Sequence, residues 1–205
     1  MKKLAFLLIF CFSFATAQNG YWQQHVDYVM SIDVDVENFT YSGEQSLIYT
    51  NNSPDTLQRV FYHLYYNAFK PGSGLEAVSR NAYSDKRNMS RNLLSLDKDD
   101  WGDVKVLSLK QDGVLIAHTT KETILEVALA SPLLPGKSTT LDMSFFVKVP
   151  AVVRRAGKNN ADGVAFSMAQ WYPKLCEYDG VGKVNLNDNL KGYMNDKELL
   201  SINVK

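Results

Sequence analysis

Apolar and polar residues alternate regularly from residue 26 onward. In residues 26–36 (VDYVMSIDVDV) six apolar side chains share one parity, and Asp27, Ser31, Asp33 and Asp35 share the other. A period of two is typical of a β-strand that buries one face. Residues 40–50 continue the alternation through Tyr41, Leu47 and Tyr49. The short link at 37–39 predicts a hairpin between the two strands.

Residues 57–67 (LQRVFYHLYYN) are apolar on both faces, which predicts a central strand after a turn at 51–56. The strand-like pattern of apolar residues ends after this segment. Residues 71–100 are rich in Gly, Ser, Asn and charged residues, and they predict a long excursion with a short helix near 90–96. Long loops in compact domains are often functional, although a tolerated surface insertion explains the same composition.

The second half of the chain again predicts short strands with turns between them. The Asp112-Gly113 pair predicts a tight hairpin, and the Pro- and Gly-containing residues 131–138 predict a turn. The predicted strands are 104–110, 114–120, 123–130, 139–150 and 163–172. This order predicts an all-β fold, an antiparallel sandwich or a strongly twisted sheet.

The first 17 residues, MKKLAFLLIFCFSFATA, have the layout of a secretory signal peptide. We therefore expect export to the periplasm or the extracellular space. The apolar run is too short to span a bilayer, and we expect no transmembrane segment in the mature chain. Without Lys2 and Lys3 the chain has 20 basic and 22 acidic residues, a net charge of −2. This balance does not favour nucleic acid as a partner.

No residue pattern predicts a catalytic or metal site in this chain. Cys11 leaves with the signal peptide, so Cys176 has no disulfide partner, and we expect it to be buried or unreactive. His25, His63 and His118 do not have zinc-ligand spacing. Neither H-E-x-x-H nor G-x-S-x-G occurs. We predict no cofactor for this chain and no enzymatic activity by itself.

Two charged clusters are weaker candidates for a site. Arg154, Arg155 and Lys158 could hold a carboxylate, but such a cluster is more often a solvated turn. Asp97, Asp99 and Asp100 form an acidic run that would ordinarily face water.

Three segments, 28–69, 133–150 and 159–179, resemble the N-terminal domain of the aminopeptidase N family of zinc metallopeptidases, and most closely its exported bacterial branch. The resemblance implies a twisted, saddle-like all-β domain that packs against a thermolysin-like catalytic domain. In that family the catalytic domain carries H-E-x-x-H and a further glutamate as zinc ligands, so zinc is expected in the full-length family and not in this chain.

The resemblance also implies a site at the end of the segment AFSMAQWYPKLCEYD. In the family an acceptor from the N-terminal domain helps to bind the free amine of the peptide substrate. Gln170 is the first candidate, because its amide oxygen can accept from an ammonium group. Tyr172 is the second candidate. An alignment shifted by two residues along a strand places a side chain on the same face, so Tyr172 could take the position assigned to Gln170. Trp171, Tyr172 and Pro173 would contact the catalytic domain; alternatively, Trp171 and Tyr172 are core and Gln170 is simply exposed.

These observations divide the chain into a signal peptide (1–17), a β domain (18–179) and a tail (180–205). The tail has few aromatics and no alternation, so we expect it to be unordered apart from a weak helix near 195–201. The expected function is that of a non-catalytic N-terminal domain truncated before its catalytic domain, either by a gene-model error or frameshift or as a natural short form. The alternative is a stand-alone exported β-sandwich that binds a partner. An uncovered apolar face near Trp171 would favour self-association.

Overall fold

The computed structural model describes residues 22–75, 77, 96–151, 157–159, 163–182 and 192–193. In this part the chain is an all-β sandwich with two main antiparallel sheets, which confirms the predicted fold class. No helix in these ranges is long and apolar enough to cross a membrane. Two short 3₁₀ helices, Tyr65–Phe69 and Lys98–Asp100, lie between strands.

One sheet has five strands and the other four. The five-stranded sheet has the order β1-β2-β8-β4-β5, and the four-stranded sheet has the order β11-β3-β7-β6. The strands of the first sheet are β1 (His25–Asp35), β2 (Thr40–Thr50), β4 (Asp103–Gln111), β5 (Val114–Leu115) and β8 (Ser138–Lys148). Those of the second are β3 (Leu57–His63), β6 (His118–Lys121), β7 (Ile124–Leu133) and β11 (Lys174–Leu175). Two smaller pairs join β9 (Gly157–Lys158) to β10 (Phe166–Ser167) and β12 (Tyr178–Gly182) to β13 (Gly192–Tyr193).

Strands β1 and β2 form the predicted hairpin, with continuous pairing from Asp35↔Thr40 to His25↔Thr50. The Asp35 carboxylate accepts from the backbone N–H of both Glu37 and Asn38 and so holds the turn together. The one-sided burial predicted for residues 26–36 is wrong at its end, because Val34 is 42% exposed and Val36 is 63% exposed. These residues extend past the core at the edge of the sheet.

The core lies between the two sheets, where the buried side chains of β2 and β8 face strands β3 and β7. Every residue of the set Tyr41, Leu47, Tyr49, Leu141, Phe145 and Val147 is at most 1% exposed. Gly43 is required in this layer, because a Cβ at its position would lie 2.3 Å from the Phe145 ring. The predicted parities of 40–50 and 139–150 are therefore confirmed.

The strand predicted at 57–67 is too long. Strand β3 ends at His63, and the chain turns into the 3₁₀ helix at Tyr65–Phe69. Asn67 stabilises this turn: its amide oxygen accepts from Val104 N–H and its amide nitrogen donates to the Glu122 carbonyl. A run that is apolar on all sides has no period, so the sequence did not mark the end of the strand. The central position of β3 is confirmed, since it lies between β11 and β7.

The strand predicted at 114–120 is in fact two strands in different sheets. Strand β5 pairs with β4 in the five-stranded sheet, and β6 pairs with β7 in the four-stranded sheet. The chain crosses between the sheets at Ile116 and Ala117, where Ile116 N–H donates to Leu109 O and Ala117 O accepts from Ala128 N–H. Val114 to Ala117 are four consecutive apolar residues with no turn residue among them, so the pattern did not reveal the crossing.

The strand predicted at 163–172 is also wrong. Only Phe166–Ser167 is a strand in this range, paired with Gly157–Lys158, and the chain bends at Ala169 and Gln170.

Lys158 is not in a solvated turn either: its side chain is 14% exposed, and its ammonium lies 3.0 Å from the Asp100 carboxylate. Arg154, Arg155 and the helices predicted near 90–96 and 195–201 lie outside the described residues, as does most of the tail. The pairing of β12 with β13 was not predicted.

Candidate functional site

The segment Gln170–Pro173, which the sequence selects as the site, is an irregular stretch packed against strands β1 and β2. The Tyr41 hydroxyl donates to the Trp171 carbonyl and fixes the backbone there. The Trp171 ring is half-buried and meets the Tyr41 ring edge-on, with centroids 5.9 Å apart. This contact joins the segment to the fully buried layer of β2.

The four predicted site residues have different environments. Tyr172 is half-buried and packs edge-on against Tyr28, with centroids 5.7 Å apart, and Pro173 is buried. Gln170 is exposed, and its φ of +54° places it in the left-handed region, which directs the chain sharply away from the preceding residues. The structure thus anchors Trp171, Tyr172 and Pro173 to the core and leaves Gln170 at the surface beside them.

Directly after this segment, the chain joins the four-stranded sheet as the short strand β11. Lys174 pairs with His63 and Leu175 with Tyr62. Cys176 N–H then donates to the Phe61 carbonyl at 2.8 Å, and Leu175 N–H donates to the Tyr28 hydroxyl at 2.9 Å. The second bond links the edges of the two sheets.

A cleft of about 350 Å³ lies beside β11. Three tyrosines and His63 contribute rings to its walls, and its rim carries polar and charged side chains. The lining residues are Gln23, Gln24, Val26, Tyr28, Tyr49, His63, Tyr65, Lys174, Leu175, Cys176 and Glu177. The sequence analysis did not bring these residues together, because the pairing of β11 with β3 joins parts of the chain that are distant in sequence. Its volume is at the small end of the range for ligand sites.

The floor of the cleft is uncharged at neutral pH. Burial, with a smaller contribution from Lys174, lowers the pKa of His63 to about 4. Burial also raises the pKa of the Cys176 thiol, which keeps the sulfur protonated and a poor nucleophile. The burial predicted for Cys176 is confirmed. Formal charges lie at the exposed rim, on Lys174 and Glu177, so the geometry suits binding of an apolar or aromatic group.

The three histidines do not converge. His63 stacks on Tyr65 with centroids 5.0 Å apart, and His25 lies 3.0 Å from the Asp27 carboxylate. His63 is buried, because strand β3 is buried on both faces at this position. No three His, Cys, Asp or Glu side chains in the described ranges could together hold a metal ion.

No family model matches the chain, and no curated protein sequence matches it. Solved structures similar to it in fold are M1 zinc metallopeptidases. One is the M1 zinc metallopeptidase from Deinococcus radiodurans, with 15% identity, a TM-score of 0.46, and alignment over 78% of this chain and 30% of that one. Another is a mutant M1 zinc metallopeptidase from the same organism bound to a Tyr-Ser-Ala substrate, with 16% identity, a TM-score of 0.45, and alignment over 76% and 30% of the two chains. The match thus covers less than a third of the length of those proteins.

Proposed function

We propose that this chain is the non-catalytic N-terminal β domain of an exported zinc aminopeptidase-like protein, and that Gln170 helps to bind the free amine of a peptide. The observation that carries the proposal is the placement of Gln170. It is exposed next to a segment whose other residues, Trp171 to Pro173, are anchored to the core. A side chain that orients a substrate needs such a rigid support.

The sequence resemblance supports the same role. The segments 28–69, 133–150 and 159–179 resemble the aminopeptidase N-terminal domain, and Gln170 lies in the third of them. Under this proposal the zinc ligands come from a separate catalytic domain, and the present domain supplies a polar acceptor at the pocket's wall. An amide oxygen can accept a hydrogen bond from the substrate's ammonium group without adding charge to the site.

Kinetics of this chain joined to its catalytic domain would test the role of Gln170. We expect Gln170→Ala to raise KM for peptides with a free N-terminus about tenfold, since a hydrogen bond to a charged group contributes about 1.5 kcal/mol or more. Gln170→Glu should preserve binding, because the carboxylate remains an acceptor. Gln58→Ala, at an exposed glutamine on β3, is the matched control and should leave KM unchanged.

Two results would contradict the proposal. One is equal loss of affinity for free and N-acetylated peptides, since only the free amine carries the ammonium. The other is a coding region downstream of codon 179 that contains no frame for H-E-x-x-H. Cell fractionation with and without residues 1–17 tests the export that the proposal assumes.

The cleft beside β11 favours a second candidate, a stand-alone exported β-sandwich that binds an aromatic group of a partner. Tyr28, Tyr49 and Tyr65 provide ring contacts in a space of about 350 Å³. Titration of the isolated chain with phenol, followed by ¹H–¹⁵N spectra, should then shift the amides of Lys174 and Cys176. A spectrum that phenol leaves unchanged argues against this candidate.

A further inference from the structure

Strand β1 forms a long edge of the five-stranded sheet. Its 11 residues pair with β2 along their whole length, and no described strand lies on the other side. An edge strand presents a row of backbone N–H and C=O groups that can pair with another chain. Strands in globular proteins average five to six residues, roughly half this length. The edge is therefore long enough to accept a full strand from another molecule.

The side chains on the solvent side of this edge are acidic. Asp27, Asp33 and Asp35 are exposed, and no lysine or arginine occurs between residues 25 and 35. Glu44 on β2 is also exposed and lies opposite Ser31. The central Val29 is 74% exposed. His25 belongs to the same row, and its Nε2 lies 3.0 Å from the Asp27 carboxylate. A strand placed beside this row meets three aspartates, this histidine and a single aliphatic side chain.

The opposite side of β1 is apolar and only half covered. Val26, Tyr28, Met30 and Ile32 are partly buried, whereas the inward residues of the neighbouring β2 reach full burial. Tyr172 and Leu175 already contact Tyr28. An additional strand next to β1 would cover the exposed parts of Val26, Met30 and Ile32 with its own inward residues. The fitting partner therefore alternates basic residues on one face with apolar residues on the other.

A groove of about 530 Å³ spans the five-stranded sheet from the middle of β1 to β4 and gives room for long side chains. Val29, Met30 and Ser31 line it on the β1 side, Lys110 lines it on the β4 side, and Glu44 lies between them on β2. Asp142, farther across the sheet, accepts from the Ser46 hydroxyl at 2.6 Å. A lysine or arginine on an added strand can reach from the edge into this groove, toward the Glu44 carboxylate.

A second copy of this chain fits the edge poorly. In an antiparallel pairing of two β1 strands over their full length, the numbering of β1 places Asp27 of each copy opposite Asp33 of the other. Like charges directly opposite each other destabilise a strand pair. We propose that the β1 edge binds an extended segment of another protein by β-strand addition, and that this segment alternates Lys or Arg with aliphatic residues.

The test uses the whole mature chain and the labelled, end-capped peptide Lys-Val-Lys-Ile-Lys-Val-Lys-Ile-Lys, with binding followed by fluorescence anisotropy. The double variant Asp27→Lys/Asp33→Lys should bind this peptide roughly tenfold more weakly, because two attractions become repulsions. The matched variant Asp97→Lys/Glu122→Lys makes the same charge change at two exposed positions away from β1 and should retain affinity. Binding should weaken as salt is added.

Two further measurements separate strand addition from simple charge attraction. A peptide of the same composition with its lysines clustered at one end should bind much more weakly, because it cannot place apolar residues on one face. Hydrogen exchange should slow at alternate amides within His25–Asp35 when the alternating peptide binds. Equal binding of the clustered peptide, unchanged affinity of the edge variant, or no added protection in β1 would overturn the proposal. A wild-type dimer that the edge variant dissociates would assign the edge to a second copy instead.

Discussion

At the scale of single residues, His63 is a titratable group held in an apolar setting. It is 2% exposed, and its Nδ1 has no hydrogen-bond partner among the described residues. Its ring stacks on Tyr65, and burial lowers its pKa to about 4. A proton on this ring is therefore unfavourable in the folded state and free to bind in the unfolded state.

This difference predicts a stability that depends on pH between about 6.5 and 4. Because the folded pKa lies below that of an unfolded histidine, the contribution is complete above pH 6.5 and is lost as the pH falls to 4, up to about 3 kcal/mol. Urea unfolding across this range should show the fall for the wild type and a much smaller fall for His63→Phe. His25→Gln, at an exposed histidine, should behave as the wild type does. If His63→Phe loses as much stability as the wild type between pH 6.5 and 4, other groups cause the pH dependence.

At the scale of elements, the segment Gln170–Pro173 packs against β1 and β2 and leads directly into β11. It has no regular structure of its own, yet its rings contact strands of the five-stranded sheet, and β11 directly after it pairs with the four-stranded one. Its contribution to stability comes from packing and from the bond between the Tyr41 hydroxyl and the Trp171 carbonyl.

We predict that Trp171→Ala lowers the free energy of unfolding by about 2 kcal/mol, less than for a fully buried tryptophan because the ring is half-buried. Gln170→Gly should leave stability the same or raise it, since glycine accepts the left-handed backbone at this position. The free energies of unfolding of both variants, measured by chemical denaturation, test these two predictions. A Trp171→Ala protein as stable as the wild type would mean that the ring contributes little to the core.

The sequence could predict strands that have one buried face and one face exposed to solvent. Strands β1, β2 and β8 follow this rule, and their alternation located them to within a few residues. It could not locate the end of β3, which is buried on both faces, or the crossing at Ile116. The aromatic run before Lys174 looked extended because its composition favours strands, but Gln170 has a positive φ that composition does not reveal.

The candidate site was predicted only in part, for a related reason. Gln170 was found at the surface through a resemblance that concerns a short segment of sequence. The cleft depends on the contact of β11 with β3 and of Leu175 with Tyr28, which are properties of the folded chain. No local pattern around His63 or Tyr49 indicates that a cleft passes over them.

At the scale of the whole molecule, the two sheets share one core and are joined by a covalent crossing at Ile116 and Ala117. We therefore predict a single cooperative unfolding transition, with coincident midpoints for circular dichroism and for tryptophan fluorescence. Two separated transitions would mean that one sheet persists without the other.

The ring and hydrogen-bond contacts of residues 171–175 also determine when the sandwich can form during synthesis. Trp171 bonds to a residue 130 positions earlier in the chain, and Leu175 to one 147 positions earlier. The β1–β2 hairpin is made early, but Tyr28 and Tyr41 lack their contacts with Trp171, Tyr172 and Leu175 until nearly the whole domain has followed. Closing such long loops is slow, so the nascent chain remains unfolded for longer than a helical domain of equal size. Under the proposal that this chain is exported, the same delay would keep the polypeptide competent for translocation until its last strands have been made.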